Sequence, residues 1–408
     1  MKIYSNKLIL LTIVVCGIGC NSQGIKIGKA YEFGDVPVPI TEIERKDDPF
    51  SNLKVEMADL PGHDDLIFDA GKGVGFASGM DGWIWKLDLK TGKASQWIQP
   101  PMNPAGMSYS NRNKDKIVFC ASRLGGDSYE ETQRVGLYEV EIATKTIRPL
   151  LLDLPKTEQE DFEKIYSVSE RKTFSLSQLN SSNSRPFSLC NDLAVSEDGN
   201  RIYISEPFER KDAAMGSGAV PEAIGLYPHG KLWFYDRKKG TISLALSGFT
   251  FVDGILLEEN RSEESVVITE TTKFRILRAY LSGKNQGKFE VLFENLPGLA
   301  DGLERDEQGR IWTGIIKKRS GLINFVHRNP WLKPFLLSIP QSILPVSKKT
   351  GILVLDKDGK RALYYSMHDG SKVRDISVAV PFERRAYFPS FDKSSRGLFS
   401  LSYEDLGI

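Results

Sequence analysis

Val74-Gly75-Phe76-Ala77-Ser78-Gly79-Met80-Asp81-Gly82-Trp83-Ile84-Trp85-Lys86-Leu87 sets two β-rich runs either side of an Asp-Gly pair. A tight hairpin turn needs positive φ, which glycine adopts without steric cost, so this stretch reads as two antiparallel strands. The phrase recurs along the chain. Asp198-Gly199-Asn200 precedes Arg201-Ile202-Tyr203-Ile204, Gln308-Gly309 precedes Arg310-Ile311-Trp312-Thr313, and Asp358-Gly359 precedes a run through Leu363-Tyr364-Tyr365. Six such units start near residues 62, 105, 190, 252, 300 and 351. Each holds an inner run, a turn, a second strand and one or two outer strands, such as Gly136-Leu137-Tyr138-Glu139-Val140 or Lys231-Leu232-Trp233-Phe234-Tyr235. Repeats of about 40 to 60 residues with four strands each are the pattern of propeller blades. One unit cannot cover its own apolar faces, whereas blades stacked around an axis can. The expected fold is therefore all-β, a six-bladed β-propeller with four-stranded blades around a central channel. Residues 51–60 would supply the strand that closes the ring with the last unit.

The chain has 408 residues, of which 40% are hydrophobic and 26% charged, enough for a substantial core. Lys and Arg number 54 against 53 Asp and Glu, a net charge of +1. That balance gives no basic field to draw nucleic acid, and no nucleic-acid partner is expected. Residues 1–20 read as an export signal: Lys2 and Lys7 flank a polar start, and Leu8 to Ile18 form an apolar run too short to span a bilayer. The run ends in Gly17-Ile18-Gly19-Cys20, which resembles a bacterial lipobox with Gly17 where Leu is usual. The expectation is an exported protein tethered to a membrane by a lipid on Cys20, with plain secretion as the alternative. Residues 21–50, polar and Pro-containing, read as a tether, and residues 51–408 as the propeller. Cys120 and Cys190 make neither a disulfide framework nor a zinc-ligand spacing. They could pair in an oxidising compartment, but the reading favoured is two small buried residues.

Two interruptions break the repeat, a polar Ser-rich stretch at 153–188 and an excursion at 206–228. Long connections inside a compact domain commonly serve function, and these would roof a funnel. Trp331 to Pro340, with Leu332, Phe335, Leu336 and Leu337, reads as a short apolar helix in the fifth unit, expected to pack on the propeller.

What opens the units carries the chemistry. The first opens with Gly62-His63-Asp64-Asp65, the third with Cys190-Asn191-Asp192, the fourth with Val252-Asp253-Gly254 and the fifth with Ala300-Asp301-Gly302. In a propeller the start of each innermost strand lies at the channel, so Asp64, Asn191, Asp253 and Asp301 would converge on one axial point. Asp and Asn oxygens suit a hard cation, and calcium's flexible coordination suits a wide, wet ring. Asp-Gly and Asn-Asp are also ordinary turn formers, which suffices at any single position. Four at corresponding places point to a shared ligand.

The stretches Gly248 to Gly254, Val267 to Thr271, Phe274 to Arg278, Leu296 to Gly302 and Asn329 to Leu332 together are similar to the strictosidine synthase-like family, which includes the adipocyte plasma membrane-associated proteins and is related to the paraoxonase and gluconolactonase propellers. Gly248-Phe249-Thr250-Phe251-Val252-Asp253-Gly254, Val267-Ile268-Thr269-Glu270-Thr271 and Phe274-Arg275-Ile276-Leu277-Arg278 follow in the family's order. Leu296-Pro297-Gly298-Leu299-Ala300-Asp301-Gly302 resembles its leucine-proline-glycine turn, and Asn329-Pro330-Trp331-Leu332 its histidine-proline-tryptophan helix. The resemblance implies a six-bladed propeller whose hydrolase relatives bind calcium in the tunnel. Asp64 stands where the family has Glu, Asn191 matches Asn, Asp253 stands where Asn is usual, and Asp301 matches Asp. Asp65 and Asp192 resemble paraoxonase residues that hold a second, deeper calcium. Two departures count. Ala105, in Asn103-Pro104-Ala105-Gly106, replaces a paraoxonase catalytic histidine, and Ser371 to Ile376 lacks the glutamate of the alkaloid-forming synthase.

The functional expectation is a calcium-dependent hydrolase of a lactone or an aryl or alkyl ester. Its small-molecule substrate would lie at the funnel, with the cation stabilising charge on the carbonyl oxygen. Calcium acidifies water weakly, so a protein base is needed. Asp301 is the first candidate and His63 the second, although the ordinary reading of His63 is structural. His229 could line the funnel mouth, His327 and His368 read as structural, and Glu270 with Arg275 reads as a cross-strand ion pair. The alternatives are a non-catalytic ligand- or protein-binding propeller with structural calcium, and a synthase-type condensing enzyme. No Gly-X-Ser-X-Gly elbow, phosphate-cradling loop or His-Glu-X-X-His pattern occurs.

Overall fold

Runs such as Ile202-Tyr203-Ile204, Val266-Val267-Ile268 and Ile352-Leu353-Val354 are buried at consecutive positions, not alternate ones. Strand side chains alternate between faces, so such runs require cover on both sides of the sheet. A ring of blades supplies it. The computed structural model describes residues 30–158, 161–210, 213–259 and 262–408. The expected leader and Cys20 lie outside the described residues.

Six four-stranded antiparallel blades form the six-bladed β-propeller. Blade I comprises His63–Asp69, Val74–Gly79, Ile84–Asp88 and Lys93–Ile98; blade II comprises Asn103–Tyr109, Lys116–Ser122, Gly136–Glu141 and Ile147–Leu151. Blade III is Leu193–Val195, Arg201–Glu206, Gly230–Asp236 and Thr241–Phe249, and blade IV is Val252–Glu259, Glu264–Glu270, Arg275–Tyr280 and Phe289–Phe293. Blade V is Gly298–Arg305, Ile311–Lys318, Thr350–Leu355 and Ala362–His368. Blade VI is composite. Val380–Phe382, Arg385–Tyr387 and Arg396–Ser402 are completed by Lys54–Pro61, whose Lys54 and Val55 pair with Ser400 and Phe399. The N-terminal strand thus closes the ring, and Phe68 stacks on Phe382 across the joint between blades I and VI at 4.5 Å.

The unit expected to start near residue 351 is the outer half of blade V. The Asp358-Gly359 turn joins its third and fourth strands, and blade VI begins near Ile376, which bridges to Ser390. Residues 319–349, inserted between the second and third strands of blade V, displaced the count. They carry helix α2 (Gly321–Arg328) and helix α3 (Lys333–Ser338), which pack against helix α1 (Ala219–Gly225) of the 206–228 excursion. The stretch at 153–188 does not roof the funnel. Its short strands Lys164–Ile165 and Thr173–Ser175 pair with Thr241–Phe249 and cover the outer edge of blade III, which would otherwise expose unpaired backbone groups.

Residues 30–50 are a packed segment where a tether was expected. Phe33, Ile40 and Phe50 are buried, and Glu44 bridges to Tyr365 of blade V. Cys120 and Cys190, read as two separate buried residues, are joined by a disulfide that links blade II to the entry of blade III. Among the described residues, no helix is long and apolar enough to cross a membrane.

Candidate functional site at the propeller axis

Each innermost strand of blades I, II, IV and V breaks register at the same point. The shifts fall between His63 and Leu66, Pro104 and Met107, Val252 and Ile255, and Ala300 and Leu303. A bulge inserts one residue, bends the strand and re-aims its side chains. Here it turns Asp64, Asp253 and Asp301 into the channel, and Asn191 enters from the turn before Leu193–Val195. The residue after the re-aimed one sits against the next blade. A Cβ on Gly254 would lie 2.4 Å from the Asp301 carbonyl oxygen, and one on Gly106 would lie 2.5 Å from Asp192 Oδ1. Glycine at these points lets adjacent blades close on the axis.

The four predicted ligands meet at the base of a cavity of about 660 Å³. Asn191 Nδ2 donates to Asp253 Oδ1, Asp253 and Asp301 share a hydrogen bond, and Thr271 Oγ1 donates 2.8 Å to the Ala300 carbonyl beside them. Burial, followed by the charge of Asp253, holds the carboxyls of Asp64 and Asp301 well above the usual carboxylate range. Asp253 is raised as well, chiefly by burial. Carboxylates packed so closely require protons or a cation between them. Among the described residues, no three His, Cys, Asp or Glu side chains stand in a ligating arrangement; Asp253 instead touches Asn191 and Asp301. As a donor set, three carboxylates and an amide fit a hard divalent cation.

Asp65 and Asp192 occupy equivalent positions and act as straps between blades. Asp65 accepts from its neighbour Leu66 N and from Met107 N of blade II, both at 2.7 Å. Asp192 accepts from Leu193 N at 2.8 Å and from Ile255 N of blade IV at 2.9 Å. Their amides donate in turn to Ser78 Oγ and Ser205 Oγ. Burial pushes Asp65 up to about 7 and Asp192 well above the carboxylate range.

His63 does not reach the cavity. It is fully buried, its Nδ1 lies 2.8 Å from the Pro61 carbonyl, and burial pushes it down to about 4. His229 is likewise absent from the lining and stacks on Tyr227. Ala105 is buried at the blade II bulge, so that blade offers no donor. Glu270 and Arg275 are cross-strand partners, joined by Glu163 and Lys273 in one buried network.

Three lining groups escaped the sequence reading. Glu304 is pushed up to about 8, first by burial and then by Asp65. Its place on the channel side follows from the bulge, because one extra residue at Asp301-Gly302 makes i and i+3 share a face. Asp375, at φ 51° on the way into blade VI, pairs with Lys317 of blade V at the cavity wall. No repeat signal marks this pair. Above the carboxylates the wall is apolar, with Phe208, Phe251, Phe274, Leu303, Ile323 and Val326 among its residues.

Residues 80–328 match the SMP-30/Gluconolactonase/LRE-like region. The chain belongs to this gluconolactonase-like family. Its curated relatives include an adipocyte plasma membrane-associated protein from Salmo salar, 28% identical over 51% of this chain and 50% of that protein, so the chain spans about half the length of such relatives. Strictosidine synthase-like 10 of Arabidopsis thaliana is 26% identical over 74% of this chain and 73% of its own. Among solved structures, a putative gluconolactonase aligns at TM-score 0.52 and 13% identity over 92% of this chain and 97% of that one. A gluconolactonase from Xanthomonas campestris aligns at TM-score 0.52 and 11% identity, over 94% and 99%. At these identities the structures establish the shared fold. The gluconolactonase-like family at large makes a lactonase-type hydrolase the class to which this axial site is compared.

Proposed function

We propose that the axial site binds calcium through Asp64, Asn191, Asp253 and Asp301 and hydrolyses a lactone or ester held in the cavity above it. The observation that supports this reading is that Asp64, Asn191, Asp253 and Asp301, carried by different blades, line the base of one cavity. Bound there, calcium would polarise the scissile carbonyl and stabilise the developing oxyanion. The chain itself does the rest. Asp301, the less buried of the two touching carboxyls that line the cavity, accepts the proton of the attacking water. Apolar walls orient the acyl or aryl part of the substrate and exclude bulk water. They favour a substrate with an apolar tail over a polyhydroxylated ring, whose hydroxyls would find few partners there. The expected lipid on Cys20 belongs to the same reading and would hold the funnel at a membrane.

The test is turnover of a panel of aliphatic lactones, sugar lactones and aryl esters, with calcium and with a calcium chelator. Hydrolysis of the lipophilic members that the chelator abolishes supports the reading. Chelator-insensitive hydrolysis, or calcium binding with no turnover across the panel, refutes it. The second of those results assigns the site to ligand binding with structural calcium, a reading favoured by the enclosure of His63 and the donor-free bulge of blade II.

A further inference from the structure

Six large apolar side chains stand exposed along one stretch of the roof. Leu322, Phe325, Trp331, Phe335, Ile343 and Val346 are between 41% and 68% exposed; Leu322 and Val346 stand at the cavity lining and the other four outside it. The short apolar helix expected to pack on the propeller packs instead on helix α1 of the 206–228 excursion, and together with helix α2 it covers the cavity with one side only. Ile323, Val326 and Leu336 face the cavity, while Phe325, Trp331 and Phe335 face out. Scattered exposed hydrophobics are ordinary, but a cluster on one short stretch marks a surface that meets something apolar.

Charge narrows what that is. No Asp or Glu occurs between Gln308 and Leu355, yet seven Lys and Arg lie from Lys317 to Lys349, in a chain whose net charge is only +1. Some of these serve the fold: Lys317 pairs with Asp375, Arg328 with Glu32, and Lys333 is buried on the Gly225 carbonyl. Lys318, Lys348 and Lys349 are exposed. An exposed aromatic and aliphatic stretch flanked by Lys318, Lys348 and Lys349, with no carboxylate of its own, has the composition of a segment that lies in the headgroup layer of an anionic bilayer.

The chain's own course gives a third, separate observation. Residues 31–34 run along this roof. Tyr31 N donates 2.9 Å to the His327 carbonyl, Phe33 meets the His327 ring edge-on, and Arg319 Nη2 donates 2.9 Å to the Gly34 carbonyl. The chain that precedes the described residues therefore joins at this face. Cys20 lies ten residues before Ala30, a span of at most about 36 Å when extended.

We propose that the outer face of residues 321–346 docks on an anionic lipid bilayer and seats the cavity mouth at the headgroup layer. Apolar substrates would then enter from the lipid. Docking requires no turnover, so its failure and the failure of the hydrolase reading are separately observable.

Trp331 makes the test specific. It is 68% exposed, whereas Trp85, Trp97, Trp233 and Trp312 are buried. The full chain is mixed with vesicles of phosphatidylcholine and phosphatidylglycerol, with and without brominated acyl chains. The expected result is quenching of a fluorescence component that Trp331→Phe lacks. Partition should weaken at least tenfold in Phe325→Glu/Phe335→Glu at an unchanged melting temperature, and should weaken as salt rises. Vesicle-bound protein with Trp331 unquenched would mean attachment through the N-terminus alone, and would overturn the proposal. So would equal binding to purely zwitterionic vesicles, or absent binding with self-association in sedimentation, which would assign the face to a second copy.

Discussion

Asp301 and Asp253 touch one another across two blades and both line the cavity, but Asp253 is buried there whereas Asp301 is only half-buried. That asymmetry gives them different roles. Asp301→Asn keeps the volume and one oxygen but cannot take a proton, so turnover should fall about 10²- to 10⁴-fold. Calcium binding, read by calorimetry, should survive better in Asp301→Asn than in Asp301→Ala. Unchanged turnover would move the base elsewhere, and Asp375 is the next candidate on the wall. The convergence of Asp64, Asn191, Asp253 and Asp301 on the cavity was legible in the sequence because each opens a repeat unit. The exclusion of His63 was not, because sequence adjacency to a ligand says nothing about facing. Neighbouring strand residues point to opposite sides, and the bulge that sends Asp64 to the axis leaves His63 turned toward Pro61. Glu304 was hidden for the same reason, since its place on the channel side depends on a bulge that no residue pattern announces.

At the scale of the element, the straps and the disulfide bind blade to blade. Both oxygens of Asp65 and of Asp192 accept backbone N–H groups, so an amide in either place sets an NH₂ against a buried donor. Asp65→Asn and Asp192→Asn should each destabilise the protein by about 1–3 kcal/mol in urea unfolding, with calcium or without it. A loss seen only in the presence of calcium would instead support a second, deeper cation site at these residues. The disulfide closes a sequence separation of 70 residues. Breaking it with Cys120→Ala/Cys190→Ala should cost about 3–4 kcal/mol, measured by denaturation under oxidising conditions. Wild type unfolded in a reductant should show a similar loss. The sequence underrated this bond because spacing carries no information on which buried residues the stacking of blades brings together. It also misplaced the sixth blade, since Asp358-Gly359 sends the same hairpin signal between outer strands as Asp81-Gly82 sends nearer the axis. Blade VI hides behind an inner strand of three residues, Val380–Phe382.

For the whole molecule, convergence of carboxylates on one axis makes stability depend on pH and calcium together. A carboxyl whose pKa is raised in the fold binds its proton more tightly folded than unfolded. Its contribution is therefore complete below the unfolded pKa and is lost as pH rises through the folded one. Asp65 near 7 and Glu304 near 8 place part of that loss above pH 6.5. His63 and His327, both held near 4 by burial, act with the opposite sign, but only between 4 and the ordinary histidine value of 6.5. The window from pH 6.5 to 8.5 thus reports raised carboxyls, Asp65 and Glu304 near the axis and Glu222 of helix α1, which burial pushes up to about 7. In chelator, the melting temperature should fall across that window, and Glu304→Gln should remove about 1–2 kcal/mol of the change. Calcium should raise the melting temperature more at pH 8.5 than at pH 6.5, because at the higher pH the cation competes with fewer protons for the raised carboxyls. A melting temperature indifferent to pH in chelator would show that the axial carboxyls are solvated as freely as those on the surface. The same flat response to added calcium would leave the four blades meeting at that point for packing alone.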